Sequence, residues 1–381
     1  MASQSTIIQE ILQAETQRLG FSLFGVSAIQ PPPHYPMYEQ WIDAGLHAQM
    51  AYLSDERARL RRADPAQIEP QARTLLSVAM RYFSPLAAPS GSTGEAAGRV
   101  AAYAWGEDYH FIIPERLKAL IEALEQQLGL PIASHPYTDT GPILERDFAQ
   151  TAGLGWIGKN TCLISPRQGS FFLLGETFLD AEIEPTEPLR TDHCGTCRRC
   201  IDACPTAAIR QDRTIDSGRC ISYLTIENKG PIPETLRPKM DDWVFGCDIC
   251  QVVCPWNQRF AQPQGAAALE PHPDIPRPIL RNELRLSPQD FNRKFKRSPI
   301  LRAKRRGYLR NISVALGNQA DPASIPALAQ TLQSEFEPLV RAHAAWALGQ
   351  MHHPAARQAL DHAIRQDPDS TVVAEARSAF D

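Results

Sequence analysis

Eight of the nine cysteines of this 381-residue chain fall in one array: Cys194-x2-Cys197-x2-Cys200-x3-Cys204-Pro205, then Cys220, then Cys247-x2-Cys250-x3-Cys254-Pro255. Few folds can use thiols at that density. The first run has the thiolate spacing that holds a [4Fe–4S] cubane, in which the fourth Cys serves the other cluster of a pair. The array therefore predicts a bacterial-ferredoxin-like module with Cys194, Cys197, Cys200 and Cys254 on one cluster. Cys204, Cys220, Cys247 and Cys250 are expected on the second. The prolines after Cys204 and Cys254 are expected to bend the chain away, because Pro cannot continue a helix. Two four-cysteine zinc sites would also use eight thiolates, but zinc sites usually come as separated C-x2-4-C pairs. Disulfides fit less well, since clustered C-x2-C pairs in a large chain without an export signal point to metal or redox use. Cys162 is left over and reads as a small buried apolar residue.

The length allows two or three domains, each with its own core. Residues 1–185 read as mixed α/β. Ser22–Val26, Leu75–Met80 and Phe171–Leu174 are strand-like apolar runs, and helical patterns cover Ile113–Leu128 and Ile143–Ala152. Ile7, Ile8, Ile11 and Leu12 at helical spacing predict an amphipathic first helix, not an export signal. No run of 18 apolar residues exists, so no membrane span is expected and the predicted compartment is the cytoplasm. Ser84–Gly98, rich in Pro, Ser and Gly, reads as a flexible loop. The cysteine module takes residues 186–260, and a proline-rich connector with a basic segment takes 261–300. In the last part, 301–381, Ala315-Leu316-Gly317 returns as Ala347-Leu348-Gly349, and Ala379-Phe380 follows at the same offset. That period predicts HEAT-like helical repeats. The fold class is thus α+β and multidomain.

Net charge is −4, yet Arg293, Lys294, Lys296, Arg297, Arg302, Lys304, Arg305, Arg306 and Arg310 follow one another without an acid. Such a run suits phosphates, with Phe295 and Tyr308 interleaved as candidates to stack on bases; the plainer reading is a solvated helix face. Gly153-Leu154-Gly155-Trp156-Ile157-Gly158 satisfies G-x-G-x-x-G, but a helical pattern precedes it and a strand follows, the reverse of a dinucleotide site. Packing of backbone against a different large cofactor is expected there instead. Two cubanes carry electrons one at a time and need an acceptor elsewhere in the chain.

Tyr103–His110 (Tyr-x-Trp-Gly-x-Asp-Tyr-His), Asp139–Arg146 (Asp-Thr-Gly-Pro-Ile-Leu-Glu-Arg), Gly153–Asn160 and Gly169–Glu176 resemble the epoxyqueuosine reductase family. So do Arg219–Thr225, Gly246–Gln251 and Cys254–Asn257, and the resemblance covers nearly the whole chain. A more distant similarity is to reductive dehalogenases, which pair a cobalamin with two cubanes. The resemblance implies an N-terminal domain that binds cobalamin, and tRNA carrying epoxyqueuosine as substrate. It also implies an oxidoreductase that turns the epoxide into the alkene of queuosine. Asp139 matches the family's proton donor, and its pKa is expected to be raised so that it can act near neutrality. Arg62, Ala101, Leu163, Leu174, Ser222, Thr225 and Asp248, with Asp139, match expected cobalamin contacts. Arg302, Lys304, Arg305 and Arg306 are expected on the tRNA. His110 reads either as a substrate or corrin contact or as an ordinary histidine. Lys159 and Asn160 could equally be loop residues. A low-potential donor of flavodoxin or ferredoxin type and a monomeric state complete the expectation. The competing readings are a dehalogenase-like small-molecule reductase and a non-catalytic electron carrier with a docking scaffold.

Overall fold

The computed structural model describes residues 4–83, 85 and 95–380. Its N-terminal part is built on a four-stranded antiparallel sheet in the order Leu23–Ala28, Thr74–Arg81, Phe172–Leu179, Ser134–Tyr137. Side chains alternate across a strand, so Leu76, Val78 and Met80 join the core formed with Ile113 and Leu117 of helix Tyr109–Leu128. Leu75 and Ala79 point the other way, onto helix Glu145–Thr151 through Phe148 and Ala149. With both faces covered, the central strands read as continuous apolar runs, which is why they were visible in the sequence. Ser134–Tyr137 was not. It is an edge strand containing Pro136, which only an edge tolerates.

The first helix runs Gln4–Arg18 and buries Ile8, Ile11 and Leu12, while Ile7 stays exposed. Most of the predicted loop Ser84–Gly98 lies outside the described residues. Its end, Ala97 and Gly98, bridges to Ile279 and Pro278. In the cysteine module Pro255 opens helix Pro255–Phe260 instead of turning the chain away. At the first helical position the missing N–H costs nothing, so the expectation built on helix interiors does not apply.

The proline-rich segment is not a free connector. Ala266 donates to the Arg81 carbonyl, His272 to the Trp105 carbonyl, and Leu269 and Ile275 are buried. One apolar core runs from Ile8 through Leu224, Val244 and Leu269 to Ala376. The C-terminal helices Lys304–Gln319, Pro338–Gly349 and Ser370–Phe380 repeat the glycine approach. A Cβ on Gly317 would sit 2.9 Å from the Ala347 Cα, and one on Gly349 2.7 Å from the Ala379 Cβ. Helix Lys304–Gln319 also staples the cysteine-bearing loops. Buried Arg310 donates to the carbonyls of Leu224, Asn228 and Gly230, and Asn311 donates to those of Thr225 and Val244.

Candidate active site

Asp139 stands on the turn after the edge strand, with a left-handed φ of 59°. The Thr138 hydroxyl donates to the Leu174 carbonyl (2.7 Å) and the Thr140 N–H to the Thr138 carbonyl (2.6 Å). The Asp139 N–H itself donates to the Glu145 carboxylate. Gly141 lies flat on the Tyr137 ring, where a Cβ would come within 2.7 Å. The Asp139 side chain is 63% accessible. Its Oδ2 is 3.3 Å from His110 Nε2, and His110 Nδ1 is 2.7 Å from Asp108 Oδ1. Asp108 also caps helix Tyr109–Leu128, so the cap that starts the helix sets the imidazole between two carboxylates.

The charges follow. Burial lowers the His110 pKa, but hydrogen bonds to Asp108 and Asp139 outweigh it and push the imidazole up to about 9. Desolvation raises the Asp139 carboxyl, yet His110, then Tyr109 and Arg302, hold it below the ordinary aspartate range. The expected raised pKa at Asp139 is therefore corrected. Near neutrality the proton sits on His110, and Asp139 is the anion it serves.

Two arginine-capped aromatic rings stand near the Asp139–His110 pair. Tyr52 is half exposed with Arg302 over its face at 5.8 Å, and Arg302 pairs with Glu227 at 2.8 Å. Phe111, next to His110, is half exposed with Arg297 over it at 4.6 Å. Neither ring was singled out from sequence, where only exposure could have marked it. Phe295 and Tyr308, which were, are fully buried against Phe291 and cannot stack on a base.

Inward, Tyr103 senses the charges of both Asp139 and Asp248, and Tyr82 those of Asp248 and Cys162. Cys162 is not merely filler: its thiol meets that of Cys250. The other thiols fall into two neighbourhoods. Cys200 is pushed up to about 11 by burial and by Cys194 and Cys254, whereas Cys247 is raised by burial and by Cys220 and Cys204. Cys197 joins the first through its turn with Cys194, tied down by Lys159 Nζ on the carbonyls of Gly195 (2.6 Å) and Cys197 (3.0 Å). Lys159 thus positions the cysteine loop.

Comparisons place this arrangement. A model for a 4Fe-4S double cluster binding domain matches residues 193–257, an epoxyqueuosine reductase (QueG) model matches 62–140, and HEAT repeats match 299–381. Epoxyqueuosine reductase of Cyclobacterium marinum is 40% identical over 80% of this chain and 95% of its own. That of Pseudomonas aeruginosa is 39% identical over 87% and 91%. The chain belongs to the epoxyqueuosine reductase family. A crystal structure of epoxyqueuosine reductase with an epoxyqueuosine-modified tRNA-Tyr stem loop superposes with a TM-score of 0.90, at 28% identity and 99% coverage of both chains. The Bacillus subtilis epoxyqueuosine reductase, at a TM-score of 0.89 and 28% identity over 99% of both chains, was captured with its catalytic aspartate loop swung out of the active site. The fold expected from sequence, with a double-cluster module and helical repeats, is the fold of this family.

Tyr103 is within reach of the charges of both Asp139 and Asp248, and Cys162 of Asp248 and the Cys250 thiol, so the inner thiols and the Asp139 turn share one polar neighbourhood. The expected cobalamin contacts divide. Asp248 is buried and accepts from the Ala102 N–H at 2.8 Å, and burial lifts its pKa to about 7. Thr225 Oγ1 is occupied, accepting from Gly246 N–H (2.9 Å) and donating to the Ile221 carbonyl. Ala101 leaves room for Gly246, whose added Cβ would lie 2.5 Å from it. Ser222 lies on helix Ile221–Ile226 behind Cys220, half buried. Leu163 and Leu174 pack with Ala79 and Ala152 beside the sheet. Arg62 is buried over the Tyr38 ring and donates to the Ala58 carbonyl (3.4 Å), apart from the Asp139 group.

Two further expectations are corrected. The glycines 153, 155 and 158 pack against protein, not a cofactor: added Cβ atoms would lie 2.5 Å from the Glu187 carbonyl, 2.3 Å from the Ile164 carbonyl and 2.5 Å from the Ile164 side chain. The basic run is largely neutralised by acids from elsewhere. Lys294 pairs with Glu283, Arg297 with Glu107 and Arg302 with Glu227. Arg305 is mostly buried on Glu335 at 2.6 Å, and Arg310 is internal. Among the described residues Lys296, Lys304 and Arg306 are exposed without an ion pair.

Proposed function

We propose that this enzyme reduces the epoxide of epoxyqueuosine in tRNA to the alkene of queuosine, with Asp139 delivering the proton to the departing oxygen. The observation that carries the reading is the Asp108–His110–Asp139 relay, set in the same polar neighbourhood as the inner thiol group. Loss of the oxygen as water takes two electrons and two protons. Cys194, Cys197, Cys200 and Cys254 would hold the outer cluster, and Cys204, Cys220, Cys247 and Cys250 the inner one. Cobalamin, held between Ala101, Leu163, Leu174, Ser222 and Asp248, would supply an electron-rich cobalt to open the epoxide. Asp139, accessible and hydrogen-bonded to the cationic imidazole, relays the His110 proton to the alkoxide and returns to its anionic state. Tyr52 and Phe111 are placed to stack on bases beside the modified nucleotide, with Lys296, Lys304, Arg306 and partly exposed Arg302 on the phosphates. Arg305 serves the fold. A flavodoxin- or ferredoxin-type donor, a monomeric state and a cytoplasmic site of action accord with this reading. Among the described residues no helix is long and apolar enough to cross a membrane.

The test is conversion of epoxyqueuosine-containing tRNA by the purified chain with cobalamin and a low-potential reductant. Queuosine should accumulate, and tRNA left unchanged under these conditions overturns the proposal.

A further inference from the structure

Beneath the Asp139 turn lies a buried acid that the proton relay does not use. Glu176 sits within strand Phe172–Leu179 with no accessible surface, and neither carboxyl oxygen has a hydrogen-bond partner among the described residues. Ser77 and Tyr137 lie directly across from it on the two neighbouring strands. Ser77 Oγ is also buried and unpartnered, so no hydroxyl satisfies the acid. What meets Glu176 is Glu145, first residue of the helix packed on this face, and the same Glu145 accepts the Asp139 N–H.

Two carboxylates are both acceptors. In a water-excluded interior they cannot face each other as anions, because each loses hydration and repels the other. A single proton between them removes the repulsion and leaves one negative charge, which the Asp139 N–H meets at Glu145. We propose that Glu145 and Glu176 share one proton, Glu176 donating to Glu145 and Glu145 accepting the Asp139 N–H, and that this pair latches the Asp139 turn in place.

The turn needs such a hold. A left-handed φ on a non-glycine residue costs of order 1–3 kcal/mol and persists only where the surroundings enforce it. The pair's electrostatics agree with the geometry. Burial and the Asp139 charge raise Glu145 to about 8, against the opposing pull of the Asp139 N–H first, then Arg146 and His110. Burial and Glu145 raise Glu176 further. While Glu176 keeps its proton the latch is closed. Once that last proton leaves, at higher pH than the first, two anions face each other and the turn is released. The proposal rests on Asp139 being the proton donor only for its catalytic meaning, since the latch itself is a statement about the turn.

Amide hydrogen exchange across residues 138–141 of the holoenzyme, corrected for the intrinsic rise of exchange with pH, reads the latch without using turnover. In the native enzyme protection should fall about tenfold or more as pH rises through the range in which the pair ionises. Glu176→Gln, whose amide donates to Glu145 with no proton to lose, should keep protection throughout. Glu145→Ala should lack it at every pH. Equal pH dependence in the native enzyme and Glu176→Gln, or full protection in Glu145→Ala, overturns the proposal. Turnover of Asp139→Asn in parallel separates the two readings: undiminished turnover removes Asp139 as donor, while the exchange data still decide the latch.

Discussion

The thiol group and the acid group of the site are assembled in opposite ways. The thiol end comes from one short stretch, in which every presumed ligand lies between Cys194 and Cys254 and turns of fixed length bring the sulfurs together. The acid end collects Asp108 and His110 from a helix start, Asp139 from a turn, Glu145 from another helix and Glu176 from a central strand. A site made of local spacing resists change elsewhere but is lost with any one ligand. A site made of distant pieces is tunable, because each piece shifts the charge of the next.

The largest effect should come at the thiol end. Cys204→Ser or Cys250→Ser should remove the inner cluster and with it all turnover, read as iron content and the electron paramagnetic resonance signal per chain. Retained activity with half the iron would break the comparison. Asp139→Asn comes next, with turnover falling about 100-fold to 10,000-fold, the range of a lost general acid, while iron and bound cobalamin are unchanged. His110→Gln should act through pH more than rate. His110 carries its proton below its raised pKa of about 9 and loses it above, so activity should decline on the alkaline side there. The variant should lose that limb, and a limb that survives would assign it to another group.

The smallest effects belong to the rim. Replacing Lys296, Lys304 or Arg306 by Gln should weaken tRNA binding and lower the salt slope by about one per phosphate contact. Arg305→Gln should leave the slope intact and lower the melting temperature, because it strands Glu335 in a largely buried position.

Much of the molecule was legible in the chain because its signals are local. Cysteine spacing, the apolar runs of buried strands and the glycine period of the helices each declare themselves within a few residues. The acid end declared Asp139 through a motif and His110 only as one of two readings, and the charge state of Asp139 runs opposite to expectation. The imidazole that lowers it is a helix-cap neighbour 29 residues earlier, a contact no periodicity reports. The basic run failed for the same reason. Arg305 and Arg310 look like their neighbours in sequence, and only tertiary packing separates an internal brace from a surface charge.

Arg310 and Asn311 gather five carbonyls from the loops around Cys220 and Cys247. Each would cost about 1–3 kcal/mol if left bare, so the brace holds those loops by protein contacts alone. Iron lost to oxygen would then leave an open mould rather than a collapsed one. Repair becomes a matter of refilling, and a chelator-stripped chain should take its metal back without passing through denaturant.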